Sequence, residues 1–455
     1  MPHHCRSMQI GIVLLSALVG CGGSTSEPPP PLGPDAGWTL IAPMSSTTTY
    51  LFDSNGECVH EWQADLPPGT AAYLLDDGTL LRAADSGSPN LAGTGAGGLV
   101  EAYAWDGSLL WSVTYDDETH RSHHDLEPLP NGNVLLTAWE LIPAQQALAA
   151  GRDPLLLDSG ELWPDEIVEV TPGGDVVWRW RVWDHIVQDR DPEAPHHGSP
   201  ADAPGRIDLN HVLELPLKSE QADLLGAASW THVNSLDYDA RRDLILLSSR
   251  GFQEIWIIDH GLSTQAAAGP AGDLLFRWGN PAAYGRGTFQ DQQLFVQHDA
   301  QWVDAGCPGA GNILVFNNGT NRGGGSYSSV IEIDGPRLPN GDYPLSSGTF
   351  APPGPIWTYT ADPPSSMYAA FLSGAQRLAN GNTLICNGVF GELREVTPLG
   401  GTVWTFTNPM PSPSTNRVFK VQRIREDHPV VQGLLSKTPP AERGDGEGGI
   451  VKARS

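Results

Sequence analysis

Three histidines share one position in a repeated pattern. His124 lies seven residues before Asn131, His232 seven before Asp239, and His298 seven before Ala305. Each of those later residues opens a hairpin turn, so each histidine stands at the head of a strand that runs into the turn. Thr70 and Ser373 fill the same slot in two further segments. With 14 His in 455 residues, chance is a poor account of three in register. A strand leaving His232 turns at 239–242 and returns along 243–249, which ends Arg250 beside the histidine. The same count returns Trp139 and Glu140 near His124, and Asn317 and Asn318 near His298. Alternation along a strand puts Asn234 on the side of His232 and points Asp125 and Asp299 away from the adjacent histidines. It also turns His123 away from His124, toward a packing role.

Three imidazoles, a guanidinium and an amide with no carboxylate on the same side do not make a calcium site. A zinc site on the three histidines is one alternative; hydrogen-bonded structural histidines are another. An arginine among neutral imidazoles favours an anionic substrate with several oxygens, which a guanidinium grips bidentately. His60, His120, His185, His196, His197, His211 and His260 read as surface or loop residues.

The elements that position these residues are short strands. Phrases such as 100–111 (VEAYAWDGSLLW), 167–178 (IVEVTPGGDVVW) and 392–404 (ELREVTPLGGTVW) are followed by returns such as 129–136 (LPNGNVLL) and 378–385 (LANGNTLI). Period-two alternation between Asn-Gly, Asp-Gly and Gly-Gly turns signals hairpins, and recurring sets of four strands signal propeller blades. Six phrases start near Thr49, Val100, Ile167, Glu254, Ser329 and Glu392. The fold expected is all-β, a six-bladed β-propeller over 38–427 with insertions at 141–164, 186–229 and 279–294. The last phrase lacks a returning strand after 418–424, and 38–43 (WTLIAP) has the pattern to supply it, closing the ring with an N-terminal strand. Residues 428–455 read as a disordered tail.

Composition agrees. The 52 Gly and 39 Pro argue against a helical bundle, and the 15 Trp, 10 Tyr and 11 Phe against wholesale disorder. A net charge of −27 disfavours nucleic-acid binding. At the N-terminus, Arg6 precedes an apolar run from 10 to 19 that ends Leu18-Val19-Gly20-Cys21. This string resembles the lipobox of bacterial lipoproteins, in which the cysteine is lipidated. Residues 1–20 then form a signal peptide, Cys21 the anchor and 21–37 a Pro/Ser-rich tether; an ordinary cleaved secretory signal is the alternative. The expected location is the cell envelope, lipid-anchored on the periplasmic or outer-membrane side, or else secreted. Cys58, Cys307 and Cys386 remain, widely spaced and odd in number, with no pairing indicated.

Residues 123–136 (HHDLEPLPNGNVLL), 232–250 (HVNSLDYDARRDLILLSSR) with 254–259 (EIWIID), and 297–318 (QHDAQWVDAGCPGAGNILVFNN) resemble the bacterial arylsulfotransferase family, over about residues 40–425. The His-x-Asn-Ser with the downstream Ser-Ser-Arg is the most specific part. The resemblance implies a six-bladed propeller that moves a sulfuryl group from an aryl sulfate donor to a phenolic acceptor through a transiently sulfated histidine, with no cofactor. It implies His298 as the nucleophile, His232, Asn234 and Arg250 as ligands of the sulfuryl oxygens, and His124 as the remaining active-site histidine. Either His124 or a protonated His232 would shuttle the proton. The chain departs from the best-known members in lacking a preceding β-sandwich domain, which leaves the oligomeric state open. A competing reading is a non-catalytic exported propeller that binds a ligand or protein partner through its funnel; a third is a zinc hydrolase.

Overall fold

Each expected phrase start falls in the third strand of a four-stranded antiparallel sheet, and six such sheets form the ring. The computed structural model describes residues 33–157, 159–213, 228–335, 342–346 and 348–436; Cys21, the leader and most of the tether lie outside them. Blade 1 begins with strand Pro68–Leu74, blade 2 with His120–Pro128, blade 3 with Val233–Asp239, blade 4 with His298–Trp302 and blade 5 with Gly374–Arg377. These innermost strands touch one another in succession around the axis. Apolar side chains between adjacent sheets build the core, as where Leu236, Ile245, Leu247 and Trp256 of blade 3 pack with Ile167, Trp178 and Trp180 of blade 2.

Blade 6 is made from both ends of the chain. Its innermost strand is Val418–Ile424, which pairs antiparallel with Trp38–Pro43; Thr48–Phe52 and Cys58–Gln63 complete the sheet. The ring therefore closes on the N-terminal strand, as its pattern predicts, and two further N-terminal strands follow it outward.

The tail departs from expectation. His428 caps a short helix, Pro429–Leu435, and its imidazole Nε2 lies 3.2 Å from Asp76. Val431 is fully buried against a cluster that includes Trp38, Trp62 and Ile424. The disorder read for 428–455 is thus wrong for 428–436: the Gly and charge content of the last residues masked an apolar patch at Val430, Val431 and Leu434. Residues 437–455 lie outside the described residues. Cys58, Cys307 and Cys386 are all free. No described helix is long and apolar enough to cross a membrane.

The innermost strands end in irregular geometry at one face. Thr70, His124, His232 and Ser373 all have positive φ, at 127°, 50°, 48° and 85°. In blade 4 the positive φ falls on the neighbours instead, Val296 at 52° and Asp299 at 51°. The pairing register shifts at these places, between Ser122 and Leu126, between Val233 and Ser235, and between His298 and Gln301. Such bulges bend a strand and re-aim its side chains, at a backbone cost of about 1 kcal/mol or more for each non-glycine residue.

Below that face the channel is plugged. Lys420, from the closing strand, sits 2.7 Å from Asp125 Oδ2 and 3.4 Å from Asp299 Oδ1, over the ring of Tyr73. The two carboxylates turn away from the adjacent histidines, as alternation predicts. Burial opposes the charge on Lys420, but Asp125, Tyr73 and Asp299 outweigh it and hold the amine well above its usual range. Farther along the strands lies a cavity of about 200 Å³, lined among others by Glu127, Asp237, Asp299, Asp304 and Lys420. Burial pushes the Asp237 carboxyl up to about 7. Lys420→Met leaves two buried carboxylates without their cation and is expected to cost about 3–5 kcal/mol in urea unfolding, part of it recovered by adding Asp125→Asn.

Candidate active site

The three strand-head histidines meet. The His124 and His232 rings lie 4.7 Å apart, centroid to centroid, and Phe419 of the closing strand stands 6.1 Å from His124 and 6.5 Å from His298. All three imidazoles are buried, between 3 and 5% exposed. In each, Nδ1 is engaged by the protein while Nε2 makes no hydrogen bond to a described residue.

His298 has the most definite state. Its Nδ1 lies 2.8 Å from Asn318 Oδ1 and 3.1 Å from the Val296 carbonyl. The Asn318 amide cannot be reversed, because its Nδ2 donates to the carbonyls of Ala369 and Leu372. Both partners of Nδ1 are therefore acceptors, so the ring proton resides on Nδ1 and Nε2 carries a bare lone pair. Burial, then the charge of Arg250, pulls the imidazole down to about 3, which keeps it neutral at physiological pH.

The hairpin count places Arg250 correctly: its N–H donates to the His232 carbonyl at 3.0 Å. The guanidinium is 8% exposed, and burial alone draws it down to about 10, with no carboxylate among its influences. A cation withdrawn from water without an anion is poised to accept one. Burial and Arg250 also depress His232 well below an ordinary imidazole, which favours its neutral form and, of the two shuttles open from sequence, His124. His124 is depressed by burial, by the other histidines and by Arg250.

Four expectations change. Asn234 is fully buried and its Nδ2 donates to the Gln297 carbonyl at 2.8 Å, so it fixes the residue before His298 rather than offering that donor to a ligand. The bulge between Val233 and Ser235 takes it out of simple alternation. Glu140 pairs with Arg181, away from His124. His123 does not turn away from His124: the two Nδ1 atoms are 2.8 Å apart, because the irregular register between Ser122 and Leu126 breaks alternation there. The Trp139 ring stacks on His123 at 4.1 Å, as its hairpin return suggests. His185 is fully buried beside Asp273, not on a surface.

Sequence reasoning also missed the residues that hold the strand of His298. Gln297 Nε2 donates to the carbonyls of Ser249 and Glu254, tying this strand to blade 3. Gly95, with φ at 81°, passes so close over His124 that a Cβ there would lie 2.4 Å from Nε2. Among the described residues no three His, Cys, Asp or Glu side chains are disposed to hold a metal ion.

Three buried imidazoles at the heads of the inner strands, with a buried guanidinium that has no ion-pair partner among the described residues, make a site suited to an anion. The arylsulfotransferase (ASST) family matches residues 39–332, more than half of the chain, and the chain belongs to that family. Membership carries aryl sulfotransferase activity in general, with an aryl sulfate donor and a phenol acceptor. No curated protein matches the chain. Among solved structures it is similar to a protein of unknown function from Bacteroides caccae, with 13% identity, a TM-score of 0.47, and coverage of 86% of this chain and 100% of that one. Virginiamycin B lyase from Staphylococcus aureus follows with 8% identity, a TM-score of 0.39, and coverage of 83% of each chain.

Proposed function

We propose that the protein transfers a sulfuryl group from an aryl sulfate to a phenol by a ping-pong route through sulfo-His298. The observation that carries this is the fixed tautomer of His298, whose bare Nε2 shares a buried site with the unpaired guanidinium of Arg250. Nε2 attacks sulfur as the sulfur–oxygen bond to the phenolate breaks. The positive charge that develops on the sulfated ring is met by the two acceptors at Nδ1, Asn318 Oδ1 and the Val296 carbonyl. Sulfuryl transfer resembles phosphoryl transfer in spreading charge over peripheral oxygens, so Arg250 supplies the main electrostatic stabilisation. An incoming phenol then attacks sulfur and returns Nε2 to its bare state. Export and a lipid anchor at Cys21 belong to the same proposal and place the donor and acceptor outside the cytoplasm.

Brief exposure to 4-nitrophenyl sulfate without acceptor, followed by quenching and peptide mass analysis, is expected to find one sulfuryl group on the peptide containing His298. A phenol added before quenching should discharge it. An unmodified peptide despite nitrophenolate release would remove the covalent route, and no release with any phenol acceptor would favour a binding protein.

A further inference from the structure

The proton needed by this chemistry has no obvious carrier in the funnel. A departing phenolate must gain one, yet His232 and His124 are both held neutral. The answer lies one residue behind His124. His123 Nδ1 lies 2.8 Å from His124 Nδ1, and its Nε2 lies 2.7 Å from Asp165 Oδ1, an ion-pair distance, while neither of these last two atoms makes a hydrogen bond. Asp165 is fully buried, and its other oxygen accepts from the Thr231 hydroxyl and the Val233 N–H. Trp139 stacks on the His123 ring and the Thr137 hydroxyl donates to its carbonyl, so this side chain has little room to turn.

We infer that Asp165 and His123 form a one-proton relay that switches His124 Nε2 between general base and general acid. This rests on the sulfotransferase reading above and names the proton path for the same site. Two imidazole Nδ1 atoms in contact must be one donor and one acceptor. With His123 neutral and its Nε2–H toward Asp165, His123 Nδ1 accepts; His124 then donates from Nδ1 and its Nε2 is bare, a base. With one more proton, His123 carries both N–H groups beside the Asp165 carboxylate; His124 then accepts at Nδ1 and presents Nε2–H, an acid. Each state is reached from the other by a single proton moving between the two Nδ1 atoms as another crosses Nε2.

The bonds balance in both half-reactions. As the sulfur–oxygen bond breaks and the sulfur–nitrogen bond to His298 forms, the phenolate oxygen takes the proton from His124 Nε2, and the Nδ1 proton of His123 moves to His124. In the return step the acceptor phenol gives its proton to His124 Nε2, and the Nδ1 proton goes back to His123. The extra charge thus resides next to Asp165 and not on the ring that faces His232, His298 and Arg250. That division of labour explains how a buried imidazole beside a guanidinium can act as an acid at all.

The test compares donors with different leaving groups. Nitrophenolate is a weak base and leaves with little help, whereas unsubstituted phenolate needs the proton. His123→Phe, which keeps a ring against Trp139, and Asp165→Asn are each expected to slow sulfation of His298 by phenyl sulfate about a hundredfold. The loss with 4-nitrophenyl sulfate should be many times smaller. A second readout needs no turnover: 15N-histidine NMR of the full chain before exposure to donor should show His124 as the Nε2–H tautomer at neutral pH, the acid that the first half-reaction needs, and a mixture of tautomers in His123→Phe. Equal losses with both donors, or an unchanged His124 tautomer, would overturn the relay while leaving sulfo-His298 intact. Absence of His298 sulfation in the unaltered protein would instead remove the reading on which the relay rests.

Discussion

His298→Ala is expected to lower sulfuryl transfer from 4-nitrophenyl sulfate to a phenol by about 10⁴-fold or more, the scale on which covalent nucleophiles act. The fold should survive, because the hydrogen bonds of the side chain are its Nδ1 contacts to Asn318 and to the Val296 carbonyl and its ring contact is with Phe419 at 6.5 Å. Asn318 retains two donors on Ala369 and Leu372, which hold it in place. Loss of rate with an unshifted melting temperature is the expected pair of results. The fixed tautomer adds a pH signature. With the imidazole drawn down to about 3, the nucleophile stays unprotonated well below the pH at which a free imidazole takes up its proton. Single-turnover sulfation by 4-nitrophenyl sulfate should therefore show no loss near pH 6.5 attributable to His298. Retention of acceptor-dependent turnover in His298→Ala would transfer the nucleophile's role to another residue.

The second large effect concerns Arg250, where rate and stability should move in opposite directions. Arg250→Met removes a cation whose charge depresses all three imidazoles and is expected to reduce transfer by about 10³-fold, in line with loss of a preorganised oxyanion donor. Yet the guanidinium is buried without an anion, so its removal relieves desolvation and breaks no ion pair. A melting temperature equal to or above that of the unaltered protein is expected. Arg250→Lys, which keeps charge but not the planar fork, should recover only part of the rate. A variant that unfolds readily would mean that the arginine has a structural partner after all.

The parts of this molecule that were legible in the sequence are those governed by local rules. Hairpin turns at Asn131-Gly132 and at 239–242 fix where strands reverse, so counting outward from them placed Arg250 beside His232 and Asn318 beside His298. The closing strand was visible for the same reason, as an alternating segment without a sheet of its own. What could not be read is what bulges decide. Alternation assigns His123 and His124 to opposite sides, and the irregular register at their strand head brings their Nδ1 atoms together instead. Asn234 was displaced by the same device in blade 3. Asp165 heads a third strand, more than forty residues from His123 in a chain with an intervening insertion, and no spacing rule connects the two. Lys420 lay unnoticed in the strand that closes the ring, although it ties together the residues following His124 and His298.

That strand has a bearing on how the protein comes to life. Phe419 and Lys420 floor the site, and they sit on the last strand of the ring to leave the ribosome, paired with the first. Until Val418–Ile424 arrives, the Asp125 and Asp299 carboxylates have no counter-ion and the sheet of Trp38–Pro43 lacks its inner neighbour. Contacts spanning nearly the whole sequence form late, since the chain ends must find each other first. A chain ended before this strand is thus expected to lack both the floor of the site and the counter-ion beneath it.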